Sequence, residues 1–294
     1  MSATAISLLC ALTVQGPGSG SPAPVTPDAG SDLPFPEFAR PKDGTISDGV
    51  AVNLADLEPQ VQSMITRLAP ALAGPEPRPQ PDATHAIWRL PRSGRVLLIA
   101  GDDASPDRSM IHILTRTGAG DVVATGMQFD MQGSAHWMSV QEADVDGDGH
   151  VDVLLHSSAM GCGLAAGAGW DWIIRMYPGG PGRAPRASLL ELPTSYGVYP
   201  LDVDGNGRLE FLLRMYGGCE RCIDGKPHNF WVWELVGIQD GRLVDLNGTV
   251  TDFPRFEWLS FDPKDRWRPL LTAAMKKQLR GEGTGLPPYQ RRRK

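Results

Sequence analysis

A chain of 294 residues, 41% hydrophobic and 21% charged, is long enough to bury a sizeable core and reads as one domain plus tails. Its net charge of −6 provides no basic field for nucleic acid, and no run reaches the roughly 18 apolar residues that span a bilayer. The 34 glycines and 26 prolines favour a turn-rich, mainly β fold over a helical bundle.

Residues 1–16 contain an apolar stretch, Ala5 to Val14, about as long as a signal-peptide core, with small Val14 and Gly16 near a cleavage point. No Lys or Arg precedes it, and Leu9 ahead of Cys10 does not suit a lipoprotein signal. The reading is export to a secreted or periplasmic location; the alternative is a disordered N-terminus on a cytoplasmic protein. Residues 17–52 read as a linker, dominated up to Pro41 by Gly, Pro, Ser and Ala. Segment 53–73 is helical: Leu57, Val61, Met64, Ile65, Leu68 and Leu72 share one face. The spacing predicts a helix over about 57–69, with Asp56 as N-cap, Pro59 in the first turn and Pro70 as the stop. Gly74 to Pro81 is a second connector.

Strands follow over 85–265, in three sets of four. The first is Arg95–Ala100, Met110–Thr115, Asp121–Met127 and His136–Ala143; the second is Val151–Ser157, Trp170–Tyr177, Ala187–Leu192 and Tyr196–Leu201. The third is Leu209–Met215, Phe230–Ile238, Leu243–Leu246 and Arg255–Phe261. Trp170-Asp171-Trp172 aligns with Trp231-Val232-Trp233 at an offset of 61 (170 to 231). Such units predict blade-like four-stranded antiparallel sheets. Three are too few to close a propeller, so the helix and a C-terminal helix over 266–281 are expected to cap open edges, unless the chain dimerises through one. The basic tail 282–294 ends in Arg291-Arg292-Arg293-Lys294.

Between the first and second sets lies Asp144-Val-Asp146-Gly-Asp148-Gly149-His150-Val-Asp152. Between the second and third lies Asp202-Val-Asp204-Gly-Asn206-Gly207-Arg208-Leu-Glu210, at an offset of 58 (144 to 202). Side-chain oxygens recur at positions 1, 3, 5 and 9, with glycine at 6 for a sharp turn. A tight loop with alternating carboxylates suits a hard cation that takes six to eight oxygens, which points to calcium. An EF-hand is excluded, because position 12 is Leu155 or Leu213 and a strand follows. The equivalent turn before the first set, Pro91 to Arg95, has lost its acidic residues.

This pattern resembles the calcium loop of the FG-GAP or VCBS repeat of integrin-type β-propellers. The resemblance implies two calcium sites. Asp144, Asp146, Asp148 and Asp152 would hold one ion with the carbonyl of His150. Asp202, Asp204, Asn206 and Glu210 would hold the other with the carbonyl of Arg208, and more weakly, since Asn206 lacks a charge.

Cys162, Cys219 and Cys222 fall in corresponding loops. They suit a disulfide from Cys162 to one of the pair, a zinc site with His228, or free, partly buried thiols. His112, His136 and His156 read as structural, and the paired tryptophans as core packing, with an aromatic platform as the alternative. Serine-hydrolase, phosphate-loop and zinc-protease motifs are absent. The expectation is an exported, non-catalytic binding or structural module with a protein or glycan partner. The rivals are an enzyme built around a cleft and a cytoplasmic zinc protein.

Overall fold

The computed structural model describes residues 41–70, 85–102, 105–130, 137–158, 169–179, 185–193, 197–247, 249, 253–259 and 267–279. Within them the chain forms three five-stranded antiparallel sheets. The first sheet runs β2 (Val50–Ala51), β3 (His85–Leu90), β4 (Arg95–Asp102), β5 (Ser105–Arg116), β6 (Val122–Asp130). The second runs β1 (Ser47–Asp48), β7 (Trp137–Ala143), β8 (Asp152–Ser158), β9 (Gly169–Tyr177), β10 (Arg186–Glu191). The third runs β11 (Val198–Leu201), β12 (Glu210–Cys219), β13 (His228–Gln239), β14 (Arg242–Asp245), with β15 (Arg255–Trp258) also pairing β13.

The sheets stack face to face, which explains why their strands are apolar on both sides. In β4, Leu97 and Ile99 meet Val140, Val153, Leu155, Trp172 and Ile174 of the second sheet. Val96 and Leu98, pointing the other way, meet Val61 and Ile65 of helix α1 (Pro59–Leu68). Ile173 of the second sheet packs with Phe211, Leu213, Val236 and Ile238 of the third. The outer face of the third sheet carries Leu212, Trp233, Leu235 and Phe253, with Tyr199 and Trp231 partly covered. Each fully buried aliphatic side chain contributes about 1.5–3 kcal/mol. The stack therefore runs helix, first, second, third sheet.

Several expectations need correction. The sheets have five strands, not four, because short pieces from outside each repeat join them. Ser47–Asp48 extends the second sheet and Val50–Ala51 the first, so the end of the supposed linker ties two sheets together. The grouping also shifts by one strand. β3 opens the first sheet, and β7 and β11 open the next two rather than closing the preceding ones. Helix α1 starts at Pro59 with Glu58 as N-cap, while the Asp56 carboxylate accepts a hydrogen bond from Asn53 N at 3.1 Å in the preceding turn. The helix covers a sheet face, not an edge. The C-terminal helix α2 is shorter than expected (Ala273–Leu279), and Leu271 ahead of it packs on Met215, Phe230 and Trp258.

The tryptophan alignment also fails. The ladders pair Val153 with Ile174 and Phe211 with Val236. Position 153 corresponds to 211 by the loop offset, so Ile174 corresponds to Val236, an offset of 62 (174 to 236) rather than 61. One residue reverses the face of a strand. Trp172 accordingly joins the core shared with the first sheet, whereas Trp233 lies on the third sheet's outer side.

Candidate metal site

Ala143 pairs with Asp152, and Leu201 pairs with Glu210. Each acidic loop therefore joins the first two strands within a sheet, as the Pro91–Gly94 turn joins β3 to β4. This corrects the expectation that the loops separate repeats. The three turns lie side by side at one end of the stack. Leu209 N donates to Val145 O at 3.0 Å, linking the two acidic loops. Glu142, fully buried, accepts from Arg92 N at 2.8 Å and Ser93 N at 3.1 Å, and Arg95 donates to Val151 O at 2.8 Å.

The two acidic loops share one conformation. Gly147 and Gly149 have φ of 72° and 84°; Gly205 and Gly207 have 72° and 85°. Side chains with a Cβ resist that region, so glycine at both positions sets the turn. Position 1 accepts from the glycine at position 6: Gly149 N to Asp144 Oδ2 at 2.9 Å, Gly207 N to Asp202 Oδ2 at 3.1 Å. Position 5 accepts from position 7: His150 N to Asp148 Oδ1 at 2.8 Å, Arg208 N to Asn206 Oδ1 at 2.7 Å. Position 9 accepts from position 2: Val145 N to Asp152 Oδ2 at 3.3 Å, Val203 N to Glu210 Oε2 at 2.8 Å.

These bonds gather Asp144, Asp146 and Asp152 so that one oxygen from each lies within 4.8 Å of the others; Asp202, Asp204 and Glu210 do the same. Asp146 Oδ1 and Asp202 Oδ1 are buried without a hydrogen-bond donor. Such an oxygen is costly to bury unless a cation or donor meets it. Asp148 is not part of the first triad; it and Asn206 hold the turn, Asn206 also donating to Asp204 Oδ2 at 2.8 Å. Burial pushes the Asp152 carboxyl up to about 7, against the opposing pull of the Met176 and Val145 N–H groups. Burial likewise raises Glu210, with the charges of Asp204 and Asp202 adding to it. An all-oxygen, carboxylate-rich donor set of this kind fits a hard divalent cation.

One participant escaped the sequence reading. Arg175 of β9, only 5% exposed, forms an ion pair with Asp146 and reaches Asp148 Oδ2 at 3.4 Å. Its signal was a lone charge in the apolar run Ile173-Ile174-Arg175-Met176.

Cys219 and Cys222 are buried free thiols; Cys162 and His136 lie outside the described residues. His228 Nε2 contacts Asp224 Oδ2 at 2.7 Å. Among the described residues, the two thiols and His228 do not form a metal-ligating group. His156 Nδ1 contacts Asp171 Oδ1 at 2.6 Å, the structural role expected of it. Comparison with known protein families, curated proteins and solved structures finds no match to this chain.

Proposed function

We propose that the protein is a calcium-binding β-repeat module of the FG-GAP or VCBS type, exported and non-catalytic, in which the metal rigidifies the hairpin loops of stacked, blade-like sheets. The observation that carries this reading is the duplicated loop. Two segments share glycine torsions, three hydrogen bonds and a converging carboxylate triad, and each leaves a buried oxygen without a donor. A solvated turn has no need to bury such an oxygen. The same carboxylates are poor candidates for acid–base catalysis, because bound metal would keep them ionised. A protein or glycan is the partner class that suits such a module.

Calorimetric titration of chelator-treated protein with calcium chloride tests the reading. The expected dissociation constant is on the order of 0.1–1 mM, the range of extracellular modules. Neither heat nor a calcium-dependent change in melting would refute it, and zinc bound in place of calcium would favour the thiol-based rival.

A further inference from the structure

The two loops share a backbone but differ in what faces their carboxylates. At the first loop a cation is already present. The Arg175 guanidinium pairs with Asp146, approaches Asp148, and lies 4.9 Å above the Tyr177 ring. Its Nη1 donates to Tyr177 Oη at 2.8 Å, and it passes so close to the β13–β14 turn that a Cβ at Gly241 would lie 2.8 Å from that nitrogen. Two further arginines border the same loop. Arg95 donates to Val151 O at 2.8 Å, and the Arg208 stem lies over Gly147, where an added Cβ would meet Cγ at 3.2 Å.

At the second loop the ladder position equivalent to Arg175 is Gly237, which carries no charge. There Asp202, only 5% exposed, keeps Oδ1 without a donor beside Asp204 and Glu210.

We propose that Arg175 is the resident cation of the first loop, and that the second of the two loops is the high-affinity divalent-metal site. This rests on the calcium reading above and reverses the order of affinities that Asn206 alone implies. A guanidinium against Asp146 both occupies the carboxylate and repels a divalent ion. It is over 90% buried and anchored by Tyr177, so it does not swing aside freely.

Native mass spectrometry with calcium chloride, paired with calorimetry, tests the assignment. Wild type is expected to hold one calcium at concentrations where Asp202→Asn holds none. Asp146→Asn should still hold one. Arg175→Met should hold two, its first loop gaining at least about tenfold in affinity once the positive charge is gone. Arg175→Lys, which keeps the charge, should hold one. Two comparable ions in wild type would overturn the proposal while leaving the calcium reading intact. So would Asp202→Asn retaining one ion, a test that does not depend on Arg175→Met folding. No calcium on wild type or on folded Arg175→Met would overturn both.

Discussion

Asp202→Asn separates a metal ligand from an ordinary turn residue. The substitution is isosteric and leaves an oxygen to accept from Gly207 N, so the backbone of the loop should survive. What changes is charge. Carboxylate oxygens of Asp202, Asp204 and Glu210 lie within 4.8 Å of one another. Two unit charges at that separation repel by about 1 kcal/mol in bulk water and by about 3.5 kcal/mol at an effective dielectric of 20. On the calcium reading, bound metal would reverse that penalty and stabilise the fold by RT ln(1 + [L]/Kd). At about 1 mM calcium and a Kd of about 0.1 mM, that is roughly 1.4 kcal/mol.

For a domain of this size the gain raises the melting temperature by roughly 3–6 °C. Wild type should therefore melt higher in calcium than in chelator by that amount, and Asp202→Asn should show almost no calcium shift. In chelator the variant should match or exceed wild type, because it removes one of three crowded negative charges. Differential scanning calorimetry in calcium and in chelator gives all four values. Equal destabilisation of the variant in both buffers would refute the reasoning and leave Asp202 as a loop-closing acceptor only.

Gly217→Ala probes the core instead. An added Cβ would lie 2.6 Å from Phe230 Cε2, and that ring is wedged against Trp258 and Phe256. Overpacking should cost roughly 1–3 kcal/mol, read as a lower melting temperature with an unchanged calcium shift. Burial pushes the Cys222 thiol up to about 12, with the neighbouring Cys219 adding to the effect. Both residues should resist alkylation at about pH 8 in native protein and react in denaturant; peptide mass mapping checks this, and rapid native labelling of Cys222 would contradict it. Burial alone would lower the His156 imidazole, but the hydrogen bond and charge of Asp171 outweigh it and hold its pKa above 6.5. Proton binding is thus tighter in the folded state. This stabilisation is full below the unfolded value and is lost as pH rises through the raised folded value. His156→Gln should flatten that part of the melting-temperature profile as pH rises from about 6.5, and an unchanged slope would assign it to other groups.

The central strands were legible because they are buried on both faces. Runs such as Val96-Leu97-Leu98-Ile99 and Phe211-Leu212-Leu213 have no other soluble use at that length. Their grouping was not legible. β3 is short and carries Arg89 next to its end, and the two-residue β1 and β2 carry no periodic pattern at all. Pairing with an existing edge, not local propensity, makes them strands. The tryptophan match misled because identical residue types outweighed a one-residue difference in loop length, and in a sheet that difference decides which side is buried.

The acidic loops were legible as a duplicated motif, and positions 1, 3 and 9 of each do converge, but Asp148 at position 5 is not part of the first triad. The relative strength proposed for them was not legible, because it rests on a residue outside the motif. Counting charges within the loop ranks the first copy above the second, as Asp148 faces Asn206. That count assumes equal surroundings. Arg175 stands 23 residues beyond Asp152 and reaches the loop only because β8 and β9 pair antiparallel, bringing position 175 beside the loop's end. Met176 N donating to Asp152 Oδ1 at 2.7 Å marks the same juncture. On the calcium reading proposed above, the neighbouring strand would decide which cation fills each loop. One repeat sets the Arg175 guanidinium against Asp146, and the other has Gly237 at that place, which would leave its carboxylates to a metal from solution.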